Sequence, residues 1–141
     1  MNFKIFLYVA GTYGDGIGAC AWAACDGWGD LVYGCIGTKA GPTRSADRML
    51  LRATLEGLMR LPPESIVEIY QGWEPKERDN GDISVALYRL RQDRHLSVSI
   101  VTTLPIESDD LPKKPRELLG AVCAMADKAW EQEKQNQSKA E

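Results

Sequence analysis

Histidine is nearly absent from this chain: His95 is the only one. The four cysteines, Cys20, Cys25, Cys35 and Cys123, include no Cys-x-x-Cys pair. Together these facts argue against a zinc site of ordinary Cys/His composition. No apolar run approaches the ~20 residues needed to cross a bilayer, so no membrane partner is expected. The opening "MNFKIFLYVAG" has one lysine, a short apolar run and no cleavage pattern, so it reads as a first strand rather than an export signal. A chain that is not exported keeps its thiols reduced, and the expected location is cytoplasmic. A basic excess is missing too: 17 Lys and Arg stand against 20 Asp and Glu, for a net charge of −3. A polyanion would therefore have to be met by a local basic patch.

What is present is ordinary globular composition over 141 residues, 44% hydrophobic and 26% charged. That length fits one compact domain with a sizeable core. Residues 1–131 are expected to form it, and the polar residues 132–141 are expected to fray as a tail. "KIFLYVA" (4–10) is apolar and β-favouring. "GTYGDGIG" (11–18) reads as a loop. "IGACAWAAC" (17–25) and "LVYGCIGT" (31–38) read as two antiparallel strands joined by the glycine-rich turn "DGWGD". Residues 43–61 form a helix, with Leu51, Thr54, Leu55 and Leu58 at helical spacing, stopped by Pro62 and Pro63. A fourth strand (65–72), a polar loop (73–82), a second helix (82–94), a fifth strand (96–104), another loop and a closing helix from Arg116 complete the chain.

The order β-β-β-α-β-α-β-α gives an α/β architecture. It is a five-stranded mixed sheet, a three-strand antiparallel meander plus two parallel strands, with helices on its faces. The parallel strands require right-handed helical crossovers.

Several residues invite chemistry. Arg44, Arg48 and Arg52 are spaced i, i+4, i+8, so they form one stripe on the first helix, with Lys39 in the segment before it. Arginine forks match phosphate oxygens, and such a stripe positions a duplex without reading its sequence. The plain alternative is a solvated face paired with Asp47 and Glu56. Arg89, Arg91, Arg94 and His95 make the second helix locally basic, interleaved with Asp93. Trp73, just past the fourth strand, either stacks on a sugar or base or anchors its loop. Asp15, Asp26 and Asp30 lie beside glycines and suit turns better than metal ligation. Glu68 lies unusually within a central strand.

The element order and its junctions resemble the ribonuclease H-like fold, over about residues 4–131. "RSADRMLLRATLEGL" (44–58) resembles that family's first helix, which carries Arg-Met-Glu-Leu. "FLYVAGTY" resembles its first strand, whose usual ending is Tyr-Thr-Asp-Gly-Ser. "VEIYQGW" resembles its fourth strand, which usually ends in Thr-Asp-Ser, and "AMADKAW" its last helix. In that family four carboxylates hold two Mg²⁺ ions about 4 Å apart across the scissile phosphate. The resemblance places these positions at Ala10, Leu50, Gln71 and Asp127, and only the last is acidic. Active relatives also place a histidine after the fifth strand, where this chain has "ESDD" (107–110).

The resemblance thus implies a vestigial site, degenerate at three of its four carboxylate positions, with no catalytic residue, metal or cofactor. The expectation is a non-catalytic domain that binds RNA/DNA hybrid or duplex RNA through Lys39, Arg44, Arg48, Arg52 and Trp73. One alternative is a protein-interaction or homodimerising pseudoenzyme, docking through apolar surface at Leu50 and Ala10. The least favoured alternative is a nuclease with relocated ligands, which alone would call for Mg²⁺.

Overall fold

A computed structural model describes residues 4–27, 29–76, 78, 80–102 and 113–140. Its elements are β1 (Lys4–Gly14), β2 (Ile17–Cys25), β3 (Leu31–Pro42), α1 (Ala46–Met59), β4 (Ile66–Gln71), α2 (Gly81–Asp93), β5 (Ser97–Thr102) and α3 (Lys113–Ala140). The sheet order is β3-β2-β1-β4-β5. β1, β2 and β3 pair antiparallel, while β4 runs parallel to both β1 and β5. This is the mixed five-stranded α/β sheet expected from the sequence.

The strand pleat sends alternate side chains into two layers. Leu7, Val9, Cys20, Trp22, Val67 and Ile69 meet Leu50, Ala53 and Leu58 of α1 on one face. Tyr8, Ala10, Ala21, Ala23 and Tyr70 meet Leu119, Val122 and Ala126 of α3 on the other. Covered on both faces, β2 is buried at all nine positions, which explains its run of small residues around Trp22. α1 begins at Ser45, whose side chain accepts the Arg48 backbone N–H, a standard N-cap. Its leucines, arginines and alanines are good helix formers.

The segment "GTYGDGIG" is not a loop. β1 and β2 continue pairing through it, from Gly11↔Cys20 to Gly14↔Ile17. The two-residue turn is Asp15–Gly16, both at positive φ (54° and 76°). Asp-Gly suits the primed hairpin turn whose twist matches the strands. Trp130 of α3 fastens this hairpin, its Nε1–H donating to the carbonyls of Gly14 (3.1 Å) and Ile17 (3.0 Å). β3 likewise extends to Pro42, past the expected end at residue 38, because β2 offers it partners as far as Ile17.

α3 runs on to Ala140, through the polar residues at the end of the chain. The stretch is rich in Glu, Gln and Lys, strong helix formers even when exposed, and Lys134 pairs with Asp15 of the hairpin at 2.9 Å. The acidic segment 107–110 lies outside the described residues. No helix among the described residues is long and apolar enough to cross a membrane.

Candidate nucleic-acid interface

The four positions matched to metal-binding carboxylates do not form one cluster. Ala10 is buried in the α3 layer and Leu50 is fully buried in the α1 layer. They flank the closest approach of β1 to α1. A Cβ added at Gly11 would stand 2.7 Å from the Leu50 amide nitrogen. The docking patch expected at Leu50 and Ala10 is therefore absent: neither side chain reaches the surface.

Gln71 is not brought to Ala10's face. Val67 and Ile69 point into the α1 layer, and Gln71 follows them by the period of two, lining a groove with Leu51, Thr54 and Ile69. Its Nε2 donates to Thr102 Oγ1 at 3.0 Å. β1 and β4 pair as far as Tyr8 with Tyr70. Asp127 is exposed on α3, one residue beyond Ala126, which packs in Ala10's layer.

This donor set does not fit a pair of Mg²⁺ ions. Magnesium takes hard oxygen ligands and sheds its water reluctantly. Ala10 and Leu50 carry no oxygen in their side chains, Gln71 offers one neutral carbonyl, and a solitary carboxylate cannot hold two divalent cations together. Among the described residues, no three Asp, Glu, His or Cys side chains gather to hold a metal. The thiols offer no nucleophile in their place. Burial pushes Cys20 up to about 12 and Cys35 up to about 11, so both stay protonated at neutral pH.

Glu68, unexplained from sequence, accepts the Tyr70 hydroxyl at 3.0 Å and pairs with Lys4 at 3.2 Å. Burial, reinforced by this carboxylate, pushes Tyr70 up to about 12.

The basic side chains tell a different story. Lys39, Arg48 and Arg52 line a recess of about 240 Å³ between the end of β3 and α1, floored by Gly41, Pro42 and Met49. On the other side of the start of α1, Arg44, Lys76 and Arg78 line a second recess of about 680 Å³ with Ser45, Asp47 and Asn80. Arg48 stands between the two. Sequence reasoning missed Lys76 and Arg78, which lie in the segment it read as a polar loop. The signal was Asn80 at the start of α2: it is buried, and its Nδ2 donates to the carbonyls of Lys76 (3.0 Å) and Arg78 (3.4 Å).

Three carboxylates temper this charge. Asp82 forms a two-pronged pair with Arg48, at 2.9 and 2.7 Å. The Arg48 fork holds Asp82 well below the usual carboxylate range. Glu56 is buried and central: Lys39 (3.0 Å), Arg52 (3.5 Å) and Arg60 (2.9 Å) all converge on it. Burial works to raise its pKa, but the hydrogen bonds from Arg60 and Lys39 prevail and hold it low. Asp47 accepts the Trp73 indole N–H at 2.7 Å. Trp73 also packs against the α1-layer core, which holds its loop to the body. On α2, Arg94 donates to the Leu61 carbonyl at 2.8 Å, which ties it to the body, while Arg89 and Arg91 are exposed.

No protein-family model and no curated protein sequence matches this chain. Solved structures do. LC11-RNase H1, isolated from compost by a metagenomic approach, superposes with a TM-score of 0.68 at 13% identity, covering 94% of this chain and 98% of its own. RNase H1 of the halophilic archaeon Halobacterium salinarum gives 0.59 at 15% identity, covering 87% and 96%. LC11-RNase H1 in complex with an RNA/DNA hybrid gives 0.59 at 12% identity, covering 89% and 99%. The chain has the ribonuclease H-like fold.

Proposed function

We propose that this chain is a ribonuclease H-like domain that binds duplex nucleic acid, RNA/DNA hybrid or duplex RNA, without hydrolysing it. The observation that carries the reading is the convergence of Lys39, Arg48 and Arg52 on one side of the start of α1 and of Arg44, Lys76 and Arg78 on the other. Two adjacent recesses, each with three cations, suit successive phosphates of a backbone. The positive end of the α1 dipole adds to the attraction. A structural neighbour with the same fold has been solved holding an RNA/DNA hybrid.

The non-catalytic half of the reading rests on Ala10, Leu50 and Gln71 at the positions where the resemblance places carboxylates. Side chains that act as a catalytic unit lose most of their effect when one member is removed, and here the unit has no core. What remains is positioning. Arg48 reaches a phosphate by exchanging the exposed Asp82 carboxylate for it. Lys39 and Arg52 share Glu56 and present their remaining donors to the recess.

Titrating a fluorescent RNA/DNA hybrid and following its anisotropy at two salt concentrations tests this. The account expects binding that weakens steeply with salt, log K falling by ~0.9 per log unit of salt for each phosphate neutralised. The double variant Arg44→Glu with Arg52→Glu should bind more weakly with a shallower salt slope. Absence of binding at low salt, or a slope unchanged in that variant, would refute it.

A further inference from the structure

The two edges of the sheet are built differently. β3 is guarded: Gly34 takes positive φ (75°), the pairing with β2 shifts register between Ala23 and Cys25, Lys39 lies on the strand, tied to Glu56 of α1, and Pro42 ends it. Bulges, lysines and prolines are the usual means of stopping a strand edge from recruiting another chain. β5 has none of these. Its six residues, Ser97 to Thr102, carry no charge, no proline and no glycine. Its inner edge pairs in register with β4, and its outer edge has no strand partner among the described residues.

The face of β5 toward α2 is also open. α2 packs against α1, leaving a groove of about 790 Å³ over β4 and β5 into which Val98, Ile100 and Thr102 look, with Leu87 and Tyr88 across it. Ile100 is 56% exposed and Tyr88 64% exposed. On the opposite face Val101 packs into the α3 layer.

We propose that β5 is a homodimerisation edge: two copies of this chain pair β5 antiparallel across a two-fold axis at Ile100, making one continuous sheet through both. The register follows from the pleat. A two-fold perpendicular to the sheet keeps each face on its own side, so residues on one face must oppose residues on the same face. Ile100 then opposes Ile100 of the mate, Val98 opposes Thr102, and Ser99 opposes Val101. An uncharged strand opposed to its own copy suffers no like-charge repulsion, and the exposed Ile100 side chains gain each other as cross-strand neighbours. The groove is bordered by one charge of each sign, Glu74 and Arg91, so a two-fold copy can set opposite charges near each other. A self-complementary patch of this kind is what an isologous interface requires. The surface is small, so the dimer is weak and forms with rising concentration.

Sedimentation of the full chain from low to high micromolar concentration tests the proposal. The expected result is a reversible monomer–dimer equilibrium. Ile100→Lys, at an exposed site where circular dichroism should confirm an unchanged fold, weakens the dimer about tenfold or more. Cys20, Cys25 and Cys35 are buried and Cys123 is partly exposed, so in a Cys123→Ser background Ile100→Cys, under mild oxidant, gives a disulfide-linked dimer that Cys123→Ser alone does not form. A chain that stays monomeric throughout, including one whose β5 takes up a foreign peptide instead, overturns the proposal. So does a dimer whose affinity is the same in Ile100→Lys.

Discussion

Gly11 of β1 lies directly beneath Leu50 of α1: a methyl group at Gly11 would stand 2.7 Å from the Leu50 amide nitrogen and 3.1 Å from the Met49 carbonyl carbon. The neighbouring atoms are helix backbone, which cannot rotate aside as a side chain can. Gly11→Ala must therefore lift α1 from the sheet. It is expected to cost ~2–4 kcal/mol, read as a lowered denaturation midpoint at constant slope. A change below ~0.5 kcal/mol would mean that the helix sits farther from β1 than described.

The same region holds two of the positions that the resemblance matches to metal-binding carboxylates. Ala10 and Leu50 are both buried and apolar, which suits a core better than a pair of repelling carboxylates. Ala10→Asp and Leu50→Glu should each destabilise the chain by several kcal/mol, because a buried charge is left unpaired. Mg²⁺ or Mn²⁺ should not restore the double variant, since the two side chains stand in opposite layers. A melting temperature that rises with metal in the double variant alone would show that the two positions face one site.

Glu56 stands at the centre of Lys39, Arg52 and Arg60. Glu56→Gln leaves these three cations facing one another around a neutral amide, and should cost ~1–3 kcal/mol near neutral pH. The sign with pH follows from its lowered pKa in the folded chain. The carboxylate stabilises the fold above the unfolded-state value, ~4.3, and that contribution fades as pH falls through the lower folded value. Acid unfolding should therefore narrow the gap between parent and Glu56→Gln below that range. A gap independent of pH would assign the loss to packing instead.

Much of the fold was legible because burial repeats along the chain. The apolar, β-favouring run of β1 and the helical spacing of Leu51, Thr54 and Leu58 require only local pattern. The Asp15–Gly16 hairpin was hidden by its own glycines, since "GTYGDGIG" has the composition of a loop while pairing as strand. The helix past residue 131 was hidden by polarity, which signals exposure but does not forbid helix. The site was less legible still. Gln71's place in the groove beside Leu51 and Thr54 is fixed only when β4 packs against α1. Arg48 pairs with Asp82, 34 residues away, and Lys76 joins Arg44 only because Asn80 holds the loop. Distances of that kind are set by packing, and no spacing along the chain announces them.

The most direct test of the whole account is a gel of end-labelled RNA/DNA hybrid incubated with the chain at low salt and excess Mg²⁺ or Mn²⁺, run native and denaturing side by side. The account predicts a shifted band in the native lane and full-length RNA in the denaturing lane. Shortened RNA that appears only with metal, or a hybrid that never shifts, would contradict it.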